Sequence, residues 1–117
     1  MLTTEKHVTP DKMLIAQVEL NFLNRSVLFL GKSVTTTGLE FNLLAVLMND
    51  AGSLVSREVI AQRIFQRKLD SCDKSINSHM ANLRKKLLVI SSRPVIKTVK
   101  GQGYIFLTSS FATPVNA

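Results

Sequence analysis

The sequence predicts an α+β fold in which an N-terminal antiparallel sheet leads into three consecutive helices and a C-terminal β-hairpin. Three observations carry this. Short runs of alternating apolar and polar residues fill positions 13–36, helical periodicity with capping residues takes over from Thr37 to Leu88, and two apolar runs flank Lys100-Gly101-Gln102-Gly103 near the end. The length of 117 residues, with 45% hydrophobic content, suits one domain. A chain of that size buries roughly two-thirds of its unfolded surface around a single core. Residues 1–12 contain Pro10 and scattered charges with no period, and 109–117 are equally unpatterned, so the folded unit is placed at 13–108 between two flexible tails.

Within Met13 to Thr36 the runs LIAQVEL, NFL, SVLFL and SVTT are broken at Asn24-Arg25 and at Gly31-Lys32, which reads as a small antiparallel meander with some of Phe22, Val27 and Phe29 on the core side. Thr37-Gly38-Leu39-Glu40 then has the form of a capping box, with the Thr37 hydroxyl accepting from the Glu40 N–H and the Glu40 carboxylate accepting from the Thr37 N–H. The helix that it opens carries Phe41, Leu44, Ala45, Leu47 and Met48 and stops at Asn49-Asp50-Ala51-Gly52. Ser56 is the next N-cap, for a short helix from Arg57 to about Phe65 with Val59, Ile60 and Ile64 on its buried side.

The third helix, from Asp73 to Leu88 and capped by Asp70 or Ser71, has the clearest pattern. Ile76, Met80, Leu83 and Leu87 fall at i, i+4, i+7 and i+11, one narrow apolar stripe that can dock on a core. The opposite side carries Lys74, Ser78, Ala81, Asn82 and Lys85, with Asn77 and Arg84 on one flank and His79 and Lys86 on the other, and no carboxylate among them. An ordinary solvated face of a basic amphipathic helix shows the same stripe. Beyond it, Val95–Val99 and Tyr104–Leu107 read as strands. Gly101 and Gly103 are expected to supply the positive φ values of a tight connection.

Charge sharpens the reading. Lys plus Arg total 15 against 8 for Asp plus Glu, a surplus of +7 with an isoelectric point near 10.0. Between Cys72 and Tyr104 lie Lys74, Arg84, Lys85, Lys86, Arg93, Lys97 and Lys100 with only Asp73 opposing, so almost the whole surplus sits on the third helix and the hairpin. Such a distribution points to a polyanion. The single cysteine fits a reducing compartment, and the absence of a signal-like start or a long apolar run disfavours a membrane, so the chain is read as cytoplasmic. His7 and His79 lie far apart with no carboxylate cluster near either, and no nucleophile motif or phosphate loop is present, so no metal, cofactor or catalysis is expected.

Strands, three helices and a terminal hairpin make a winged-helix arrangement, in which the major groove of double-stranded DNA admits the third helix and the hairpin wing reaches the adjacent groove. The blocks TGLEFNLLAVL (37–47), SLVSREVI (53–60), KSINSHMANLRKKL (74–87) and IKTVKGQGY (96–104) resemble the OmpR/PhoB-type DNA-binding effector domain of bacterial response regulators.

The resemblance implies an N-terminal four-stranded sheet, a recognition helix at 72–88 and a wing at 95–107. It places Lys74, Ser78, Ala81 and Asn82 at the bases and His79 and Arg84 against the phosphate backbone, where Lys85 also stands. It places Thr98 and Lys100 at the neighbouring groove, with Gly101, Gln102, Gly103 and Tyr104 completing the wing. A loop at 65–71, with Gln66, Arg67 and Lys68, is implied to meet RNA polymerase. Two copies are implied to form a homodimer on direct repeats, behind a receiver domain that these residues do not include. Two departures stand out: the family usually has an acid where Asn77 stands, and often arginine where Lys74 and Lys100 stand, which removes a planar guanidinium fork. The alternative function is a winged-helix interaction module that binds RNA polymerase or another regulator. RNA binding is a third reading, weaker because the wing tip has no aromatic for stacking.

Overall fold

The computed structural model describes residues 7–9, 11–68 and 73–108. Among the described residues the fold is α+β and of the winged-helix type, with two antiparallel sheets and three helices. The first sheet is a meander of five strands in chain order: β1 (His7–Val8), β2 (Lys12–Ile15), β3 (Val18–Asn21), β4 (Ser26–Phe29) and β5 (Lys32–Val34). Two expectations are corrected here. The tail does not extend to residue 12, because His7 and Val8 pair with Leu14 and Met13 and satisfy the edge of β2, so the sheet has five strands where four are implied by resemblance. Residues 1–6 and 109–117 lie outside the described residues.

The second correction is the run LIAQVEL, which is two strands. Ala16 and Gln17 both take positive φ, 51° and 71°, and make a two-residue hairpin turn without glycine or asparagine. The flanking pair Ile15↔Val18 explains why this strain persists, since both side chains are within 1% of full burial and the turn is what brings them together. Val27 and Phe29 are buried and Phe22 packs on the core edge.

Helix α1 (Gly38–Asn49) begins at the capping box read from sequence, with Glu40 N–H donating to Thr37 Oγ1 (3.1 Å) and Thr37 N–H to Glu40 Oε1 (3.0 Å). The first sheet is tied to it by Arg25. Its Nη2 donates to Gly38 O (3.0 Å) and Asn42 Oδ1 (2.7 Å), and its guanidinium lies 4.5 Å above the Phe41 ring, a cation–π contact. Ser56 caps α2 (Arg57–Ile60), which continues as a π-helical turn, Ala61–Phe65, and ends at Gln66 in the left-handed conformation. Helix α3 is described over Asp73–Ile90 and runs two residues past the expected end at Leu88; its expected caps Asp70 and Ser71 lie outside the described residues. Ile76, Met80, Leu83 and Leu87 are all buried, joining Phe41, Leu44 and Leu47 of α1 and Leu20 and Phe29 of the first sheet in one core.

The second sheet has the order β6-β8-β7, with β6 (Leu54–Ser56), β7 (Ile96–Val99) and β8 (Gly103–Phe106). The hairpin is therefore not alone: β6 pairs with β8 through Leu54↔Ile105, Val55↔Tyr104 and Ser56↔Gly103. This pairing changes the meaning of the two glycines. Gly101 does take a positive φ, 77°, in the three-residue connection, but Gly103 does not. Its need is space: a Cβ there would overlap the Val55 carbonyl oxygen and stand 2.8 Å from Ser56 Cα.

These different constraints separate two substitutions. Gly103→Ala forces β6 and β8 apart and is expected to cost about 2–3 kcal/mol in denaturant unfolding, in the range of overpacking. Gly101→Ala meets nothing within 4 Å and is expected to cost only about 1 kcal/mol for its left-handed backbone. A reversed order would refute the steric assignment of Gly103.

Candidate nucleic-acid interface

The face of α3 opposite its buried stripe is built as the helical count requires. Lys74, Ser78, Ala81, Asn82 and Lys85 are all exposed, and with Ile76, Met80, Leu83 and Leu87 buried behind them the helix presents that row to solvent on a fixed backing. The sequence from Lys74 to Ile90 contains no carboxylate, so nothing on this face repels a polyanion. Ser78 and Asn82 supply donors and acceptors, Lys74 and Lys85 supply charge, and Ala81 leaves room for close approach.

The wing stands beside this face and is joined to it by side chains. Arg84 Nη1 donates to Thr98 Oγ1 at 2.7 Å, linking α3 to β7. Asn77 Oδ1 accepts from Tyr104 Oη at 3.1 Å and from Arg57 Nη2 at 2.5 Å, linking α3 to β8 and α2. Since Thr98 pairs across the strands with Tyr104, the two links form one polar seam. The tip is anchored as well, by the Arg57 N–H on Gln102 O (3.1 Å).

Lys100, Gly101 and Gln102 are exposed at the tip, as is Thr98 on its strand. Gly103 and Tyr104 are not: Tyr104 is only 4% exposed, with its hydroxyl turned to Asn77. Both are withdrawn from the contact surface expected of the wing. They serve its geometry, because a β8 that pairs on both edges leaves no open side there.

Lys86 is also withdrawn from the basic face. Its Nζ donates to Glu40 Oε1 at 2.6 Å, and the Glu40 side chain is 2% exposed against 35% for that of Lys86. Burial by itself pushes the Glu40 carboxyl up. The hydrogen bonds from Lys86 and the Thr37 N–H, with the charges of Lys86 and His79, outweigh burial and hold it below its ordinary value of 4.5. His79 is half-buried beside this pair on the flank away from the wing.

Of the expected loop, Gln66, Arg67 and Lys68 are exposed, and 69–71 lie outside the described residues, as does Cys72. Sequence reading misses the seam partner Arg57, and it marks Asn77 as a flank residue and a departure from the family's usual acid without finding its partners. No spacing rule links positions 20 apart on different helices. Among the described residues no three His, Cys, Asp or Glu side chains converge to hold a metal, and no helix is long and apolar enough to cross a membrane.

This arrangement has known counterparts. The family model described as "Transcriptional regulatory protein, C terminal" matches residues 31–106. The transcriptional regulatory protein CpxR of Escherichia coli K12 is 37% identical over 83 residues, covering 70% of this chain and 36% of CpxR. The transcriptional regulatory protein RstA of the same strain is 31% identical over 104 residues, covering 87% of this chain and 44% of RstA. The chain thus spans less than half the length of either. Among solved structures, the DNA-binding domain of E. coli CpxR is similar with a TM-score of 0.73 at 33% identity, covering 86% of this chain and 98% of that one. The Klebsiella pneumoniae RstA DNA-binding domain, in complex with the RstA box, has a TM-score of 0.73 at 28% identity, covering 83% and 97%.

The Glu40–Lys86 pair gives this framework a pH dependence. Stability from the ionised carboxylate is fully present above the ordinary value of 4.5 and is lost as pH falls through the lower folded value. Lys86→Met leaves a buried carboxylate without its cation and is expected to cost about 1–3 kcal/mol at neutral pH, less than a fully buried pair because Lys86 is partly in water. The gap should narrow as pH falls and Glu40 takes a proton, because protonation removes from the wild type what the variant already lacks. Denaturant unfolding of both proteins across pH, followed by circular dichroism, checks this, and equal stability at neutral pH would remove the pair from the stability of the fold.

Proposed function

Because this chain belongs to the OmpR/PhoB-type family of C-terminal domains of transcriptional regulatory proteins, we propose that it is the sequence-specific, double-stranded DNA-binding unit of a transcription regulator in a two-component system. One observation supports this most: the exposed, carboxylate-free face of α3 and the exposed wing tip stand side by side on one rigid frame. α3 enters the major groove with Lys74, Ser78, Ala81 and Asn82 toward base edges. Lys85 and the remaining N–H groups of Arg84 meet phosphates, as does His79 on the other flank. Thr98, Lys100 and Gln102 reach the adjacent groove. The complex of the K. pneumoniae RstA domain with its RstA box lends support from a relative of the same fold.

Two further partners belong to this proposal. The exposed Gln66-Arg67-Lys68 segment after the π-helical turn is the surface offered to RNA polymerase, and two copies sit side by side on direct repeats.

Selecting duplexes from a random pool at near-physiological salt tests the reading. An enriched site is expected, while a chain that serves only as an interaction module would enrich none. On that site Asn82→Ala should cost roughly 1–3 kcal/mol at a single base pair and flatten the preference there, because the asparagine amide matches the N7 acceptor and N6 donor of adenine. Lys85→Ala should instead weaken all duplexes alike and reduce the slope of log affinity against log salt by about 0.9. Equal loss across all sequences for Asn82→Ala would make that residue structural.

A further inference from the structure

We propose that Asn77 is a DNA contact in its own right, its amide N–H donating to a phosphate oxygen of the strand that passes between α3 and the wing. This rests on the DNA-binding reading above. Asn77 Oδ1 receives two donors, Arg57 Nη2 and Tyr104 Oη. A guanidinium only donates, so the atom that faces it is the amide oxygen, and the planar amide must then turn its nitrogen the other way. Tyr104 is buried and Arg57 half-buried, whereas Asn77 is exposed, so the oxygen points to protein and the nitrogen is left for solvent. That nitrogen has no partner among the described residues.

Its place on the helix gives the nitrogen a target. Asn77 stands one turn before Ala81 and three residues after Lys74, on the flank that carries Arg84 and faces Thr98 of β7. If α3 occupies one groove and the wing the next, the sugar–phosphate strand that divides those grooves runs along this seam. A neutral donor held in a fixed orientation suits a phosphate oxygen. A carboxylate in the same place would still satisfy Arg57 and Tyr104 but would face the phosphate with like charge.

The test uses the duplex enriched from the random pool, remade with a single neutral methylphosphonate at each phosphate in turn, against the wild-type chain, Asn77→Ala and Asn77→Asp. At one phosphate the methylphosphonate should weaken the wild-type chain roughly fivefold more than it weakens Asn77→Ala. At that same phosphate it should improve binding by Asn77→Asp, whose thermal midpoint stays at or above the wild-type value because its oxygen still accepts from Arg57 and Tyr104. A loss for Asn77→Ala that is the same on every duplex would make Asn77 a purely structural link and overturn the proposal, as would no loss at all. A pool that enriches no duplex would overturn the DNA-binding reading itself, and this inference with it.

Discussion

A buried carboxylate holds the arrangement together. Glu40 closes the capping box of α1 with one hydrogen bond and binds Lys86 of α3 with another, at 2% side-chain exposure. Taking that charge out of water is costly, and the hydrogen bonds from the Lys86 ammonium and the Thr37 N–H, with the charge of Lys86 and the nearby His79, outweigh that cost and favour the ionised form. Two consequences follow from the one contact. The start of α1 is fixed against the last turns of α3, which aims the opposite face of α3 outward. Lys86 is also drawn to a buried carboxylate, which leaves Lys74, Lys85 and Arg84 as the other cations of α3.

The other side of α3 is fixed by neutral and charge-assisted hydrogen bonds. Arg84 to Thr98, Asn77 to Tyr104 and Arg57 to Asn77 connect α3, both wing strands and the start of α2. A wing on a flexible two-stranded hairpin would lose freedom on binding. Pairing β8 on both edges and tying it to α3 meets that cost during folding, which leaves more of the contact energy for the ligand. The close approach of Gly103 to Val55 and Ser56 is the steric side of the same device.

What could be read from sequence is what local chemistry decides. The capping box at Thr37 and Glu40, the Ser56 cap and the Ile76-Met80-Leu83-Leu87 stripe each depend on residues within a turn or two of one another, and each is present as written. The exposure of Lys74, Ser78, Ala81 and Asn82 follows from that stripe by helical geometry alone. What could not be read depends on partners distant in sequence. β6 is three residues long and becomes a strand only because β8 lies beside it. The turn at Ala16-Gln17 breaks local preference and is held by the burial of its flanking pair. Tyr104 reads as a wing residue, and its burial is decided only by β6 and Asn77, which enclose it. Lys86 reads as one of a basic run, and only its meeting with Glu40, 46 positions earlier, reassigns it.

The outer row of α3 and the wing tip are expected to meet DNA as one rigid surface. Backbone amide chemical shifts, followed by NMR as the selected duplex is added, test it most directly. The largest changes are expected at Lys74, Ser78, Ala81, Asn82 and Lys85 and at Lys100 to Gln102 in a single binding event with one midpoint. The strands of the first sheet should shift little. Changes centred on Gln66 to Lys68 or on the first sheet, or separate midpoints for α3 and the wing, would contradict it.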